Sequence, residues 1–161
     1  MRHLLLVRHG PAAGKAAGGG DRDRPLTPEG RRAVEALALR LKAEAPAPDR
    51  VLCSTARRAQ ETLDLLLQEE PPTEVDLEDA FYLADALGLL RRLRELAPDA
   101  RSVLIVGHNP GLQELAALLA GRGGDAIAAG LPAAGAVLFD VEGDWSELGS
   151  ESARLRAFYS P

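Results

Sequence analysis

The chain has 161 residues, 27% of them charged and 46% hydrophobic, and a net charge of −5. That length can bury a core as one domain spanning residues 1–161, and the acidic balance argues against a broad nucleic-acid or anionic-membrane surface. The single cysteine excludes an intrachain disulfide, no apolar run approaches the ~18 residues of a membrane span, and the apolar stretch near the start is too short for a signal peptide, so the expected location is a reducing cytoplasm.

Residues 3–8 (HLLLVR) read as a buried strand, because Leu4, Leu5, Leu6 and Val7 are consecutive. Residues 10–25 form a loop rich in glycine, alanine and charge. Thr27 then supplies an N-cap and Pro28 a first helical position, followed by the stripe Val34, Leu37, Ala38 and Leu41. The segment APAPD, 45–49, ends that helix. Residues 50–53 make a second strand, and a helix from about Thr55 carries Ala59, Leu63, Leu66 and Leu67 until Pro71 and Pro72 close it.

A third strand is expected over 73–77 and a helix over 84–97, with Leu89, Leu93 and Leu96 on one face. The run SVLIVGHNPG, 102–111, is a strand leading to Asn109 as N-cap and Pro110 at the first helical position. Leu112, Leu115, Ala116 and Leu119 then mark a helix. Two final strands, 135–141 and 153–159, flank a turn holding Gly143 and Trp145. Strands alternating with helices imply an α/β fold around a mostly parallel sheet. In such sheets ligands bind off the carboxyl ends of the strands.

Three of those ends carry reactive side chains. The first gives Arg8 and His9, the second gives Cys53 and Ser54 followed by Arg57 and Arg58, and the third gives His108. Helical geometry lets only one of the successive Arg57 and Arg58 face a pocket. Guanidinium groups match phosphoryl oxygens, helix N-termini favour anions, and a neutral imidazole can attack phosphorus. The same arginines would repel a metal cation, and no carboxylate cluster has ligand spacing. His3 lies at the far end of its strand and reads as structural.

Two look-alikes fail on spacing. GPAAGKA, 10–16, has three residues between its glycines where a phosphate-binding P-loop has four, and alanine where that loop needs a hydroxyl. Cys53 and Arg58 suggest a cysteine phosphatase, but its spacing would place the arginine at Ala59. A cysteine ending a strand is more often packed and inert.

VRHG (7–10), DRPLTPEG (23–30), STARRAQET (54–62) and VGHNPG (106–111) together resemble the motifs of the histidine phosphatase superfamily, the phosphoglycerate-mutase-like group. Glu61 stands where that family usually has glutamine. The short length, the GHNPGL form and the W-x-x-L … L-R-x-F ending are most similar to its phosphohistidine phosphatase (SixA-type) subgroup. The resemblance implies a three-layer α/β/α sandwich and a cofactor-free, metal-independent phosphatase.

It implies that His9 is a nucleophile phosphorylated in turnover, that Arg8 and Arg58 clamp the phosphoryl oxygens, and that a protonated His108 completes the clamp. Arg58 follows Ser54 by the family's spacing, and Arg24 is placed at the entrance as a substrate contact. Family members that cleave esters draw a proton donor from an insertion after the third strand. Here that region is short, and Glu78, Asp79 and Asp85 are the candidates. A short insertion suits phosphohistidine carried by a protein. The alternatives are small sugar or nucleotide phosphates, or a non-catalytic phosphate-binding module.

Overall fold

The computed structural model describes residues 1–15, 19–68 and 74–161. Six strands, β1 (Arg2–Arg8), β2 (Arg50–Ser54), β3 (Glu74–Glu78), β4 (Ser102–Gly107), β5 (Ala136–Val141) and β6 (Arg154–Tyr159), form one sheet in the order β3-β2-β4-β1-β5-β6. The first four are mutually parallel, and β5 runs antiparallel to both β1 and β6. The expected mostly parallel sheet is therefore present.

Alternation along β1 sends its side chains to both faces, which is why its sequence reads as continuous apolar residues. Leu5 and Val7 pack with Leu37 and Leu41 of α1 (Pro28–Glu44) and with Ala59 and Leu63 of α2 (Arg57–Leu66). Leu4 and Leu6 pack on the opposite face with Leu89 and Leu93 of α3 (Ala86–Arg94) and Leu112 and Leu115 of α4 (Gly111–Ala120). A fifth short helix, α5 (Asp125–Ala129), adds Ile127 to that second cluster. The layers are helix, sheet, helix. No helix among the described residues is long and apolar enough to cross a membrane.

Several local expectations hold, the first with its predicted chemistry. Thr27 caps α1, its hydroxyl accepting from the Gly30 amide at 2.9 Å. Trp145 is buried in a one-turn 3-10 helix, and its indole N–H donates to the Ala100 carbonyl at 2.8 Å. The third strand spans Glu74–Glu78 and has an exposed, charged character because it is a sheet edge. Thr73, with the helix-closing Pro71 and Pro72, lies outside the described residues.

Three boundaries differ. The helix expected from about Thr55 runs Arg57–Leu66, with Ala56 at its N-cap and Leu67 at its C-cap. The helix expected over 84–97 runs Ala86–Arg94: Asp85 caps its start, accepting from the Gly88 amide at 2.8 Å, and Glu95 holds the C-cap at its end. Asn109 is not the cap of α4, and Pro110 is not inside it. Pro110 itself holds the cap position and follows a cis peptide. The Asn109 amide is engaged elsewhere, donating to the Leu131 carbonyl at 2.8 Å and to Gln113 Oε1 at 3.2 Å.

Candidate active site

Because β2, β4 and β1 are consecutive across the sheet, their carboxyl ends lie side by side. Arg8 pairs with Gly107 in the β1–β4 register, so His9 and His108 leave the sheet together. Their ring centroids are 5.2 Å apart. Arg58, on the opening turn of α2, is only 3% exposed and reaches both rings. Its Nε lies 3.3 Å from His9 Nε2, and its Nη2 lies 3.5 Å from His108 Nδ1.

The scaffold around these groups is polar and connected. Thr62 joins the loop after β1 to α2: its hydroxyl accepts from the Gly10 amide at 3.0 Å and donates to the Arg58 carbonyl at 2.8 Å. Arg8 Nη1 donates to the Leu131 carbonyl at 3.0 Å, while its buried Nε has no acceptor among the described residues. Glu61, at the family's glutamine position, accepts from the Leu26 amide at 2.9 Å and tethers the segment before α1. Arg57 turns outward to pair with Glu61 at 3.1 Å, so Arg58 alone of the two faces the site.

Both histidines are driven toward the neutral form. Burial, followed by the nearby Arg58 and Arg8, pushes His9 down to about 4 against the opposing hydrogen bond to Gly10. Burial, then His9 and Arg58, pushes His108 down to about 3. Burial and these neighbouring cations work against the protonated His108 that the resemblance implies. Since a guanidinium can only donate, Nδ1 of His108 is bare toward Arg58, and Nε2–H donates to Ser54 Oγ at 2.7 Å. Ser54, fully buried, also accepts from the Ala56 amide at 3.2 Å.

The other residues that the sequence singles out fall around this centre rather than in it. Arg24 donates to the Ala13 carbonyl at 2.6 Å and to Asp21 Oδ1 at 2.9 Å. Glu78 accepts from Arg92 at 2.6 Å, Asp79 is largely exposed and paired with Arg22 at 3.2 Å, and Asp85 caps α3. Hydrogen bonds from Thr55 and Arg22 hold the Asp79 carboxyl below its usual value. His3 pairs with Asp140 at 3.1 Å at the opposite end of β1, in the structural place expected for it. Cys53 is fully buried, and burial pushes its thiol up to about 12, so it is inert.

Two residues at the centre carry no mark in the sequence. Asp21, in a 3-10 turn over Asp21–Asp23, accepts Arg58 Nη1 on its backbone carbonyl at 2.9 Å and Arg58 Nη2 on Oδ2 at 3.2 Å. Tyr82 donates its hydroxyl to the same carboxylate and stands edge-on to His108, with centroids 5.6 Å apart. These bonds, Tyr82 first and then Arg24, hold the Asp21 carboxyl well below the usual carboxylate range. Neither residue belongs to an amphipathic period, so nothing in the hydrophobic pattern points to them.

Comparison with known proteins gives this geometry a kinship. The family model of the histidine phosphatase superfamily (branch 1) matches residues 4–82. The uncharacterized protein ML1117 of Mycobacterium leprae is 36% identical over 146 residues, covering 88% of this chain and 89% of that protein. A candidate phosphohistidine phosphatase SixA from Nakamurella multipartitia has a TM-score of 0.88 at 31% identity, covering 99% of this chain and 96% of that one. The protein histidine phosphatase SixA complexed with tungstate has a TM-score of 0.81 at 25% identity, covering 98% and 96%. The chain belongs to the histidine phosphatase superfamily, shares the phosphoglycerate-mutase-like fold of its SixA neighbours, and is a phosphatase.

Proposed function

We propose that the protein hydrolyses phosphohistidine carried by another protein, with His9 as the covalent nucleophile and Arg8, Arg58 and His108 as the phosphoryl clamp. The reading rests on one observation: Asp21, the carboxylate bonded within the site, is held ionised by Tyr82, Arg24 and Arg58. Such a group cannot hand a proton to a leaving group. Glu78, Asp79 and Asp85 are each committed to an arginine or to a helix cap. An alkoxide leaves poorly without a proton, whereas a phosphohistidine ring protonated on its second nitrogen leaves as a neutral imidazole.

In the proposed cycle His9 Nε2 attacks phosphorus, the P–N bond of the substrate breaks, and the electron pair stays on the departing imidazole. Guanidinium and imidazole donors then face the equatorial oxygens of the transition state. A phosphoryl group entering between the rings offers His108 Nδ1 a negative partner, which favours protonating it. Water next attacks phosphorus on His9, releasing inorganic phosphate and restoring the imidazole. The connection from β3 to α3, residues 79–85 only, is short enough to admit a protein surface. SixA kinship supports the same substrate class.

The test is a substrate panel: a phosphohistidine-bearing protein, phosphoramidate, an aryl phosphate, and alkyl sugar and nucleotide phosphates. We expect kcat/KM to follow leaving-group ability, with the P–N substrates and aryl phosphate far ahead of the alkyl esters. Equal or faster turnover of an alkyl phosphate would refute the reading. In the same panel Glu78→Gln, Asp79→Asn and Asp85→Asn should each leave phosphoramidate turnover within a few-fold of the parent.

A further inference from the structure

We propose that Asp21 is a positioning residue: it holds the guanidinium of Arg58 by one edge so that the other edge addresses the gap between His9 and His108. The proposal rests on the reading of Arg58 as a phosphoryl clamp.

A guanidinium is a planar fork with an end-on edge, Nη1 and Nη2, and a side-on edge, Nε and Nη2. Asp21 engages the end-on edge with two acceptors, its backbone carbonyl to Nη1 at 2.9 Å and its Oδ2 to Nη2 at 3.2 Å. The side-on edge is left toward the imidazoles, with Nε 3.3 Å from His9 Nε2 and Nη2 3.5 Å from His108 Nδ1. One residue therefore fixes the in-plane orientation of the fork from behind, and a long side chain that could rotate about its stem is held in one pose.

Asp21 is itself held. Arg24 Nη1 donates to Oδ1 at 2.9 Å, and the Tyr82 hydroxyl donates to Oδ2. Arg24 is anchored in turn on the Ala13 carbonyl at 2.6 Å. Tyr82 is sandwiched between the edge contact to His108 and the Arg22 guanidinium, which lies 4.4 Å from the ring centroid. A carboxylate beside an anion site weakens binding of that anion by Coulomb repulsion. Its retention in this bonded arrangement is accounted for by orientation, which is worth more than raw attraction when the clamp must meet a transition state.

The experiment is a double-mutant cycle on the single-turnover rate of His9 phosphorylation by phosphoramidate. It compares the parent with Asp21→Ala, Arg58→Lys and the double variant, and thermal midpoints check each fold. Lysine keeps the charge but has no fork. Asp21→Ala should slow the step about 10- to 100-fold and have no further effect in the Arg58→Lys background. Tyr82→Phe should slow it less, and not at all once Asp21 is alanine.

Asp21→Asn, which keeps the volume, serves should the alanine variant fold poorly, and should show a loss in the same direction. A rate equal to or above the parent in the Asp21 variants would overturn the proposal, by showing a plug instead of a prop. An equal loss in both Arg58 backgrounds would overturn it too, since the effect would then be general. Either result leaves the Arg58 reading standing. Full activity of Arg58→Lys would instead defeat both.

Discussion

His9 Nδ1 donates to the carbonyl oxygen of Gly10 at 2.7 Å, and that bond decides which ring nitrogen is free. A carbonyl can only accept, so the proton sits on Nδ1 and the lone pair of Nε2 faces Arg58. His9→Ala should abolish turnover and His9 labelling. Phosphate trapped from a labelled donor should be acid-labile and alkali-stable on the parent protein, as a P–N bond is. Near-normal hydrolysis by purified His9→Ala would remove the nucleophile.

Depressed imidazole values make a prediction about pH. With His9 near 4 and His108 near 3 in the fold, against roughly 6.5 unfolded, the unfolded chain binds more protons between those limits. Stability should therefore fall as pH drops below about 6.5 and be insensitive to these two groups above it. Two of the three histidines should titrate below pH 5 in proton NMR of the ligand-free protein. Tungstate or phosphate should raise the His108 midpoint by placing negative charge beside Nδ1. Midpoints near 6.5 for both would show that water reaches the rings freely.

Ser54 is the second partner of His108, at 2.7 Å, and it accepts from the Ala56 amide at the same oxygen. Ser54→Ala leaves two donors without an acceptor in a fully buried place. The expected cost is about 1–3 kcal/mol of stability, read from the urea midpoint at unchanged m-value. The rate of His9 phosphorylation should fall about 10- to 100-fold through loss of the His108 orientation. An unaltered rate would mean that His108 keeps its pose without the serine.

Gly111 begins α4 directly against the Ala84 backbone, where an added Cβ would overlap the carbonyl. Backbone cannot swing aside as a flexible side chain can. Gly111→Ala should cost on the order of 1–3 kcal/mol and displace the helix that follows His108. Gly14→Ala, in open space before α1, should cost little. The pair of urea midpoints checks the contrast, and similar losses would show that α4 can shift to absorb the methyl.

Strands and long helices are readable because their apolar residues repeat at fixed periods: Val34, Leu37 and Leu41 are all buried on α1 as spaced. The candidate residues His9, Arg8, Arg58 and His108 can be picked out because ligands bind off strand ends in a parallel sheet, and the structure sets Arg58 against both imidazoles with the Arg8 charge close enough to depress them. What escapes depends on contacts without a period. Asp21 lies in a glycine-rich loop, and beside its neighbour Arg24 its partners Arg58 and Tyr82 come from two distant segments. The cap expected at Asn109 fails because its amide nitrogen is turned to donate to the Leu131 carbonyl, twenty-two residues onward, and its Oδ1 accepts from no amide of α4. The helix Asp125–Ala129 has no side-chain cap and a single buried residue, too little to register as a stripe.

The partnership of Arg8 with Gly107 across β1 and β4 also constrains how such a chain can change. A residue inserted within either strand would turn every later side chain to the opposite face, and one imidazole would leave the other behind. The loops that follow can lengthen or shrink without altering that phase. Descendants of this sequence should therefore vary in what they let approach the two rings, while the five or six residues before each histidine keep their count.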